Sequence, residues 1–590
     1  MKTNAIFRPV MLGLAFIAAL TSTASIHAQV PLDPLTQTKY INPLPLPGVL
    51  SPDTTTFPGT EYYEVSMTQF EQDLGLRDPI SGAPLLTTVW GYNGTYPGPT
   101  IEARSTLPTN TIDPGKPVKV LWSNDLVDRN GDPLPHLLPV DPTLHCGPNT
   151  SNCFPYNRTV VHLHGGHTEP ASDGYPEAWF TPGFAQVGPE FKKQTYHYAN
   201  DQQGATLWYH DHALGITRLN VQAGLAGFYL LRDDFEDSLN LPGGAYEIPI
   251  LIQDRSFYTD GSLAYPTAPV IDPATGEPVI DPNTGEPAPS IQPEFFGDTI
   301  VVNGMVWPLL EVEPRKYRLR LLNGSDSRFY KLWLSQDPNG NDNGNGPTFF
   351  QIGTDGGLLQ APVALKRVLL APAERADIVI DFSTLAGQTL FLRNNAKAPF
   401  PDGASVDPRT VGQILQIRVT KPLAGPDTSV LPATLSPIDP LTTSLPSRVL
   451  DLQEGIDEFG RLQLLLDGKK WDDPITELPL LNSTEIWTII NPTPDTHPIH
   501  LHLVQFQILD RQKFDARSYV PGDPATLKLK GRPAPPDANE AGWKDTARMN
   551  PGEVTRVIAN FDILGLYAWH CHILSHEDHE MMRPFRVVAQ

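Results

Sequence analysis

The residues able to do the most chemistry sit in the run Trp569-His570-Cys571-His572-Ile573-Leu574-Ser575-His576-Glu577-Asp578-His579-Glu580-Met581-Met582. A thiolate, two imidazoles and a weak axial thioether are the ligands of a blue-copper electron-transfer site. Cys571, His576 and Met581 follow one another at offsets of five and five, the spacing of a strand end and a loop that curls back over a metal. His570 and His572 flank the cysteine. Adjacent side chains on an extended strand point to opposite faces, and residues two apart share one. The two histidines therefore face away from the sulfur, toward a second metal centre.

Three further clusters can complete that centre: His162-Leu163-His164, His210-Asp211-His212 and His497-Pro498-Ile499-His500-Leu501-His502. His500 and His502 share a face, and His497, at an odd offset, turns to the Cys571 side. The tally is His497, Cys571, His576 and Met581 on one side. On the other are His162, His164, His210, His212, His500, His502, His570 and His572. Eight imidazoles suffice for three coppers, ligated by two, three and three. A lone His-x-His pair on a strand is usually a polar residue on a solvated face. Four such pairs, one enclosing a cysteine, confirm one another. Zinc fits less well, because a closed structural zinc site takes four ligands and needs no eight imidazoles beside a separate thiolate.

In this order the four clusters resemble those of the three-domain multicopper oxidases. The flanks are similar to bacterial laccases of the spore-coat and bilirubin oxidase kind: Val161-His162-Leu163-His164-Gly165-Gly166, Trp208-Tyr209-His210-Asp211-His212, Gly542-Trp543-Lys544-Asp545-Thr546 and Met581-Met582-Arg583-Pro584. The resemblance implies an all-β chain of three cupredoxin-like Greek-key β-sandwich domains carrying four coppers. It places type 1 copper on His497, Cys571, His576 and Met581, and type 2 on His162 and His500. The type 3 pair falls to His164, His210 and His572 with His212, His502 and His570. It also implies that Glu577 relays protons and that Asp173 steers protons or water from outside the copper shell. The plainer readings are a surface glutamate and a turn aspartate before Gly174.

The elements that must position these residues come next. Residues 1–28 read as an export signal: Lys2 and Arg8 ahead of the apolar run Val10 to Leu20, with cleavage after Ala28 or Ala24. The chain is thus expected outside the reducing cytosol. There Cys146 and Cys153 are expected to pair across a turn-rich hexapeptide. No later stretch is long and apolar enough to span a membrane. A formal charge of −23 argues against nucleic acid and anionic membranes as partners. The 62 prolines in 590 residues, about twice the usual ~5%, disfavour helix interiors and favour strands and long loops.

Length predicts three or four domains. The reading is a first domain over 29–235, closed by a buried strand over 223–231, then a middle domain over 236–420, a proline-rich linker over 421–447 and a third domain over 448–590. The middle domain holds no histidine, so its role is expected to be architectural. Its tandem repeat at 270–287 (VIDPATGEP, then VIDPNTGEP) reads as a projecting hairpin or flexible arm. Since the first and third domains share the imidazoles, the three-copper cluster must lie between them.

By resemblance the reaction couples one-electron oxidation of phenols and aromatic amines to reduction of O2 to water, in a monomer. Asp495 and Thr496 stand before His497 where bilirubin oxidases often carry a tryptophan, which favours a laccase. The mature chain is too poor in methionine for a dedicated cuprous oxidase, while a manganese or other metal oxidase stays open. The alternative of a different class is a copper-binding cupredoxin scaffold of the envelope, which would have lost ligands. His136, His145 and His197 stand alone and read as ordinary histidines, and His167 and His579 lie off register.

Overall fold

The computed structural model describes residues 29–145, 154–281, 284–342 and 344–589. The export signal at 1–28 and the Cys146–Cys153 pairing lie outside the described residues. Strands dominate, and the three α-helices that are described run only five to seven residues. The strands form three cupredoxin-like β-sandwiches in succession.

In the first, Pro84–Tyr92, Glu61–Arg77, Val118–Asn124 and Thr195–Tyr198 make one sheet, and Gly98–Arg104, Ala226–Arg232, Ala205–Asp211 and Val161–His164 the other. The middle domain packs an eight-stranded sheet against a five-stranded one. In the third, a five-stranded sheet faces the four strands Thr546–Met549, His497–Leu501, Gly565–Cys571 and Met582–Val587. Each domain repeats one parallel pairing between strands distant in sequence: residues 61–67 with 118–124, 247–252 with 318–323, and 448–451 with 487–490. Such a pairing requires a crossover connection.

Burial explains which strands are legible. Val118–Asn124 alternates buried and half-buried positions, as a strand with one face on a core must. Ala205–Asp211 and His497–Leu501 are buried at every position, because a neighbouring domain covers their second face. Aromatic rings fill the sandwiches: Tyr92, Trp122 and Tyr209 meet in the first, and Trp487, Phe561, Trp569 and Phe585 in the third.

Two sequence expectations need correction. The apolar stretch 223–231 is not one strand: Ala223 ends the helix Thr217–Ala223, Gly224 turns at φ 130°, and the strand begins at Ala226. The tandem repeat does form two hairpin turns with exposed tips, but its base is docked and it is not a free arm. Val279 N–H donates to Val270 C=O, Ala288 N–H to Val279 C=O, and Val270 N–H to Ala288 C=O, so the two copies stack. Val270, Asp281 and Ala288 are buried, and Tyr156 donates to Asp281 across the interface with the first domain. Residues 421–447 form no strand or helix, yet they lie against the middle domain, with Leu435 buried and its N–H donating to Gln360 C=O.

First and third domains are clamped directly. Asp578 accepts from the N–H groups of Thr217 and Arg218 and pairs with the Arg218 guanidinium at 2.8 Å. His167 bridges Asp201 at 2.8 Å and Asp562 at 3.0 Å. Burial opposes charge on His167, but the two carboxylates outweigh it and raise its pKa to about 10. A raised folded pKa gives stability that is complete below the unfolded value near 6.5 and is lost as pH climbs through about 10. His167→Gln should therefore cost about 1 kcal/mol at pH 5.5, a figure set low because the carboxylates are part-exposed. The deficit should close above pH 10 in denaturant titrations, and a pH-independent deficit would count against the charged bridge.

Candidate metal centre

The site is built where Gly565–Cys571 pairs antiparallel with His497–Leu501. Cys571 stands opposite Ile499, and His570 opposite His500. Opposed residues in such a ladder share a face. His500 and His570 thus project together, and the thiol projects the other way.

On the thiol face, Cys571 Sγ lies 3.7 Å from His497 Nδ1 and 3.7 Å from His576 Nδ1. Ligand N and S atoms about 2.0–2.3 Å from one metal at a trigonal angle stand about 3.7–3.8 Å apart. The five-residue helix Leu574–Asp578 swings His576 back over the sulfur. Cys571 N–H donates to Met581 C=O and Met581 N–H to His576 C=O, which fixes the loop carrying all three. His497 Nε2 is held by Thr493 Oγ1 at 2.8 Å. Cys571, His497, His576 and Met581 are all buried. Burial pushes the thiol well above its ordinary value, a penalty that metal coordination removes by taking the thiolate.

On the other face, inward nitrogens converge in three groups: His162, His164 and His500; His164, His210 and His572; and His212, His502 and His570. His162 Nε2 and His500 Nε2 are 3.4 Å apart, and the Nε2 atoms of His212, His502 and His570 are 3.1–3.3 Å from one another. Most outward nitrogens have acceptors. His502 Nδ1 lies 2.7 Å from Asp173 Oδ2, His500 Nδ1 2.8 Å from Asp545 C=O, and His210 Nδ1 2.8 Å from Asp211 C=O. His162 Nδ1 donates to Asp173 C=O, and His570 Nδ1 lies 3.0 Å from Glu577. His164 is reversed, its Nε2 lying 3.0 Å from Asp545 Oδ1. An outward N–H leaves the lone pair pointing inward, the arrangement of metal-ligating histidines. His164 Nδ1, His210 Nε2 and both ring nitrogens of His572 have no hydrogen-bond partner, although they are buried.

The electrostatics agree. Burial, then the neighbouring imidazoles, hold His164, His212, His500, His502 and His572 well below the ordinary histidine range; burial alone takes His497 to about 3. The rings are neutral, as ligands must be. Burial raises the pKa of Glu577, against His570, and that of Asp173 to about 6, against His162. Neutral imidazoles with orphaned nitrogens beside buried carboxylates fit cations, and the imidazole–thiolate mixture suits copper.

All ten histidines singled out in the sequence come together with Cys571 in these two clusters, and Met581 is tied to the Cys571 loop through its backbone. Asp173 and Glu577 both touch the second. Of the remaining histidines, His136 is half-buried against Asn220, and His145 and His579 line a 170 Å³ cavity with Glu580. Sequence reading did not assign Asp545, although it lies in a motif already noted, nor Glu294. Glu294 Oε1 lies 3.7 Å from His576 Nε2, brought from the middle domain with no local signal.

Multicopper oxidase family models match residues 148–235 and 445–590. A Bacillus subtilis protein is 46% identical over 94% of this chain and 99% of its own length. The chain belongs to the multicopper oxidases. That Bacillus relative is a laccase, as is a Haloferax volcanii protein 38% identical over 98% of this chain and 89% of its own. The solved laccase of Pediococcus acidilactici superposes with a TM-score of 0.66 at 28% identity, covering 94% of this chain and 95% of that one.

A ligand that binds only the folded state stabilises it, by about 4 kcal/mol per site at a thousandfold excess over Kd. Copper loading should therefore raise the thermal midpoint of metal-stripped protein by several degrees in calorimetry. Identical midpoints with and without copper would show that the clusters do not take it.

Proposed function

We propose that the protein is a laccase. It takes electrons singly from phenols and aromatic amines and delivers four to dioxygen, releasing two waters. The observation that supports this most is one strand end, His570-Cys571-His572, serving two metal clusters on opposite faces. In this reading His497, Cys571, His576 and Met581 hold type 1 copper and His162 and His500 hold type 2. His164, His210 and His572 hold one type 3 ion and His212, His502 and His570 the other, four coppers in all. Bound copper supplies the one-electron chemistry that no side chain here performs.

The chain supplies geometry and protons. The backbone from Cys571 to its two neighbours is a covalent connection of a few bonds between the faces. Glu577, with Oε2 3.0 Å from His570 Nδ1 and Oε1 3.3 Å from His212 Nδ1, takes up and releases the protons that water formation consumes. Asp173 Oδ2 holds His502 at Nδ1, and Thr168 Oγ1 donates to the other carboxylate oxygen at 3.0 Å. One chain supplies every ligand named, so the proposed centre needs no second copy. The mature protein is taken to be exported after cleavage behind Ala28 or Ala24. No helix among the described residues is long and apolar enough to cross a membrane.

One observation favours a second reading, a cationic metal donor. Glu294 Oε1 lies 3.7 Å from His576 Nε2, and a carboxylate at the edge of that ring would attract a cation. Oxygen uptake by copper-loaded protein separates the readings. A phenol should drive uptake faster than bilirubin or Mn(II), and silence with all three would sink the proposal. Glu294→Gln should slow Mn(II) and spare the phenol if the second reading holds, and slow both or neither if it fails. Cys571→Ser should lose the intense blue colour and one copper per chain. Glu577→Gln should lower oxygen consumption about a hundredfold while leaving anaerobic reduction by the donor at its wild-type rate. An unchanged turnover would remove Glu577 from the proton path.

A further inference from the structure

The middle domain contributes no copper ligand, yet one of its side chains reaches the metal centre. Asp545 is fully buried and serves two ligands at once. Its carbonyl accepts from His500 Nδ1, and its Oδ1 lies 3.0 Å from His164 Nε2. Holding the Nε2 proton of His164 outward is what turns Nδ1 inward on that ring. A buried carboxylate can do this only if it stays charged and in place, and an unpaired buried charge is costly.

Arg375, also fully buried, meets that need from the middle-domain strand Arg375–Asp381. Its Nη1 donates to Asp545 Oδ1 at 2.9 Å and its Nη2 to Asp545 Oδ2. The remaining donors are used as well: Nε to Thr206 C=O at 2.9 Å, Nη1 to Ala373 C=O at 2.8 Å, and Nη2 to Asp355 C=O at 3.2 Å. All five guanidinium N–H groups therefore have acceptors, contributed by all three domains, and an ammonium with three donors cannot reproduce the fork. The backbone makes room for the pair. At Gly165, where φ is 85°, an added Cβ would lie 2.5 Å from Asp545 Oδ2 and 2.8 Å from Arg375 Nη2.

We propose that Arg375 is a positioning residue for the three-copper cluster. By clamping Asp545 it fixes which nitrogen His164 and His500 each present to metal. The inference rests on the ligand assignment proposed above. It gives the histidine-free domain a defined part in building the centre.

A chain of ion pairs supplies the control. It runs from Asp355 through Lys544, Glu374, Arg548 and Glu540 to Arg511, which lines a groove of about 1040 Å³ at the surface. Cutting it at Arg511, whose partner Glu540 lies in the same third domain, should cost stability without touching Asp545.

The test compares copper-loaded wild type with Arg375→Met, Arg375→Lys and Arg511→Met. The readouts are copper per chain, affinity by chelator competition, the type 2 electron paramagnetic resonance signal, blue absorbance and thermal midpoint. Arg375→Met should weaken retention of the three-copper set 10- to 100-fold, the usual effect of losing a partner behind a ligand. It should also shift the type 2 signal while leaving blue absorbance per chain intact. Arg375→Lys should fall between, and carries the comparison if the methionine variant does not fold. Arg511→Met should lower the midpoint yet hold copper as wild type does. Wild-type affinity in both Arg375 variants would overturn the proposal, as would equal weakening by Arg511→Met. A wild-type protein that binds no three-copper set would instead sink the ligand assignment itself.

Discussion

Two properties of a β-strand end make this centre possible, its period of two and the covalent continuity of its backbone. With the thiol of Cys571 on one face, its neighbours His570 and His572 must lie on the other. The register opposite Ile499 and His500 extends the division to the next strand. A shift of one residue in that pairing would turn every one of these side chains to the wrong face. The register therefore has to be secured well beyond the site, which is the work of the surrounding sheet and its tryptophan-rich core.

The second constraint is that buried imidazoles must stay neutral and correctly protonated. Burial supplies neutrality, and the ring of outward acceptors supplies the tautomer. Backbone carbonyls of Asp173, Asp211 and Asp545 take part together with the side chains of Asp173, Asp545 and Glu577. Three aspartates thus act partly through their main chain, where the identity of the side chain is invisible to the histidine. The same residues are buried because the first and third domains close over them, so the electrostatics of the centre and the cohesion of the domains are one problem.

Much of this was readable from residue types and spacing. Strand alternation separated Cys571 from His570 and His572, and the four His-x-His pairs marked the eight histidines that converge on the other face. The acid roles of Asp173 and Glu577 came from resemblance, and their contacts with His502 and His570 are seen only in three dimensions. What stayed hidden was carried by contacts between distant segments. Glu294 reaches His576 from another domain, and nothing in its flanks marks it. The repeat at 270–287 looked like a free arm because its turn residues are those of exposed loops. The buried Val270 and Ala288 that dock it are too few to make a periodic signal. Ala223 was misplaced into a strand because Ala223-Gly224-Leu225 is apolar either way, and only the left-handed turn at Gly224 separates helix from strand.

The pairing of His162 with His500 spans 338 residues. During synthesis the first sandwich must therefore wait, its imidazoles without counterparts, while the ribosome adds two further domains. Metal acquisition is accordingly a late event in the life of the polypeptide, following closure of one end of the molecule upon the other. A cell that exported the chain already folded would have to furnish copper before translocation, whereas one that threaded it unfolded would meet that demand on the far side.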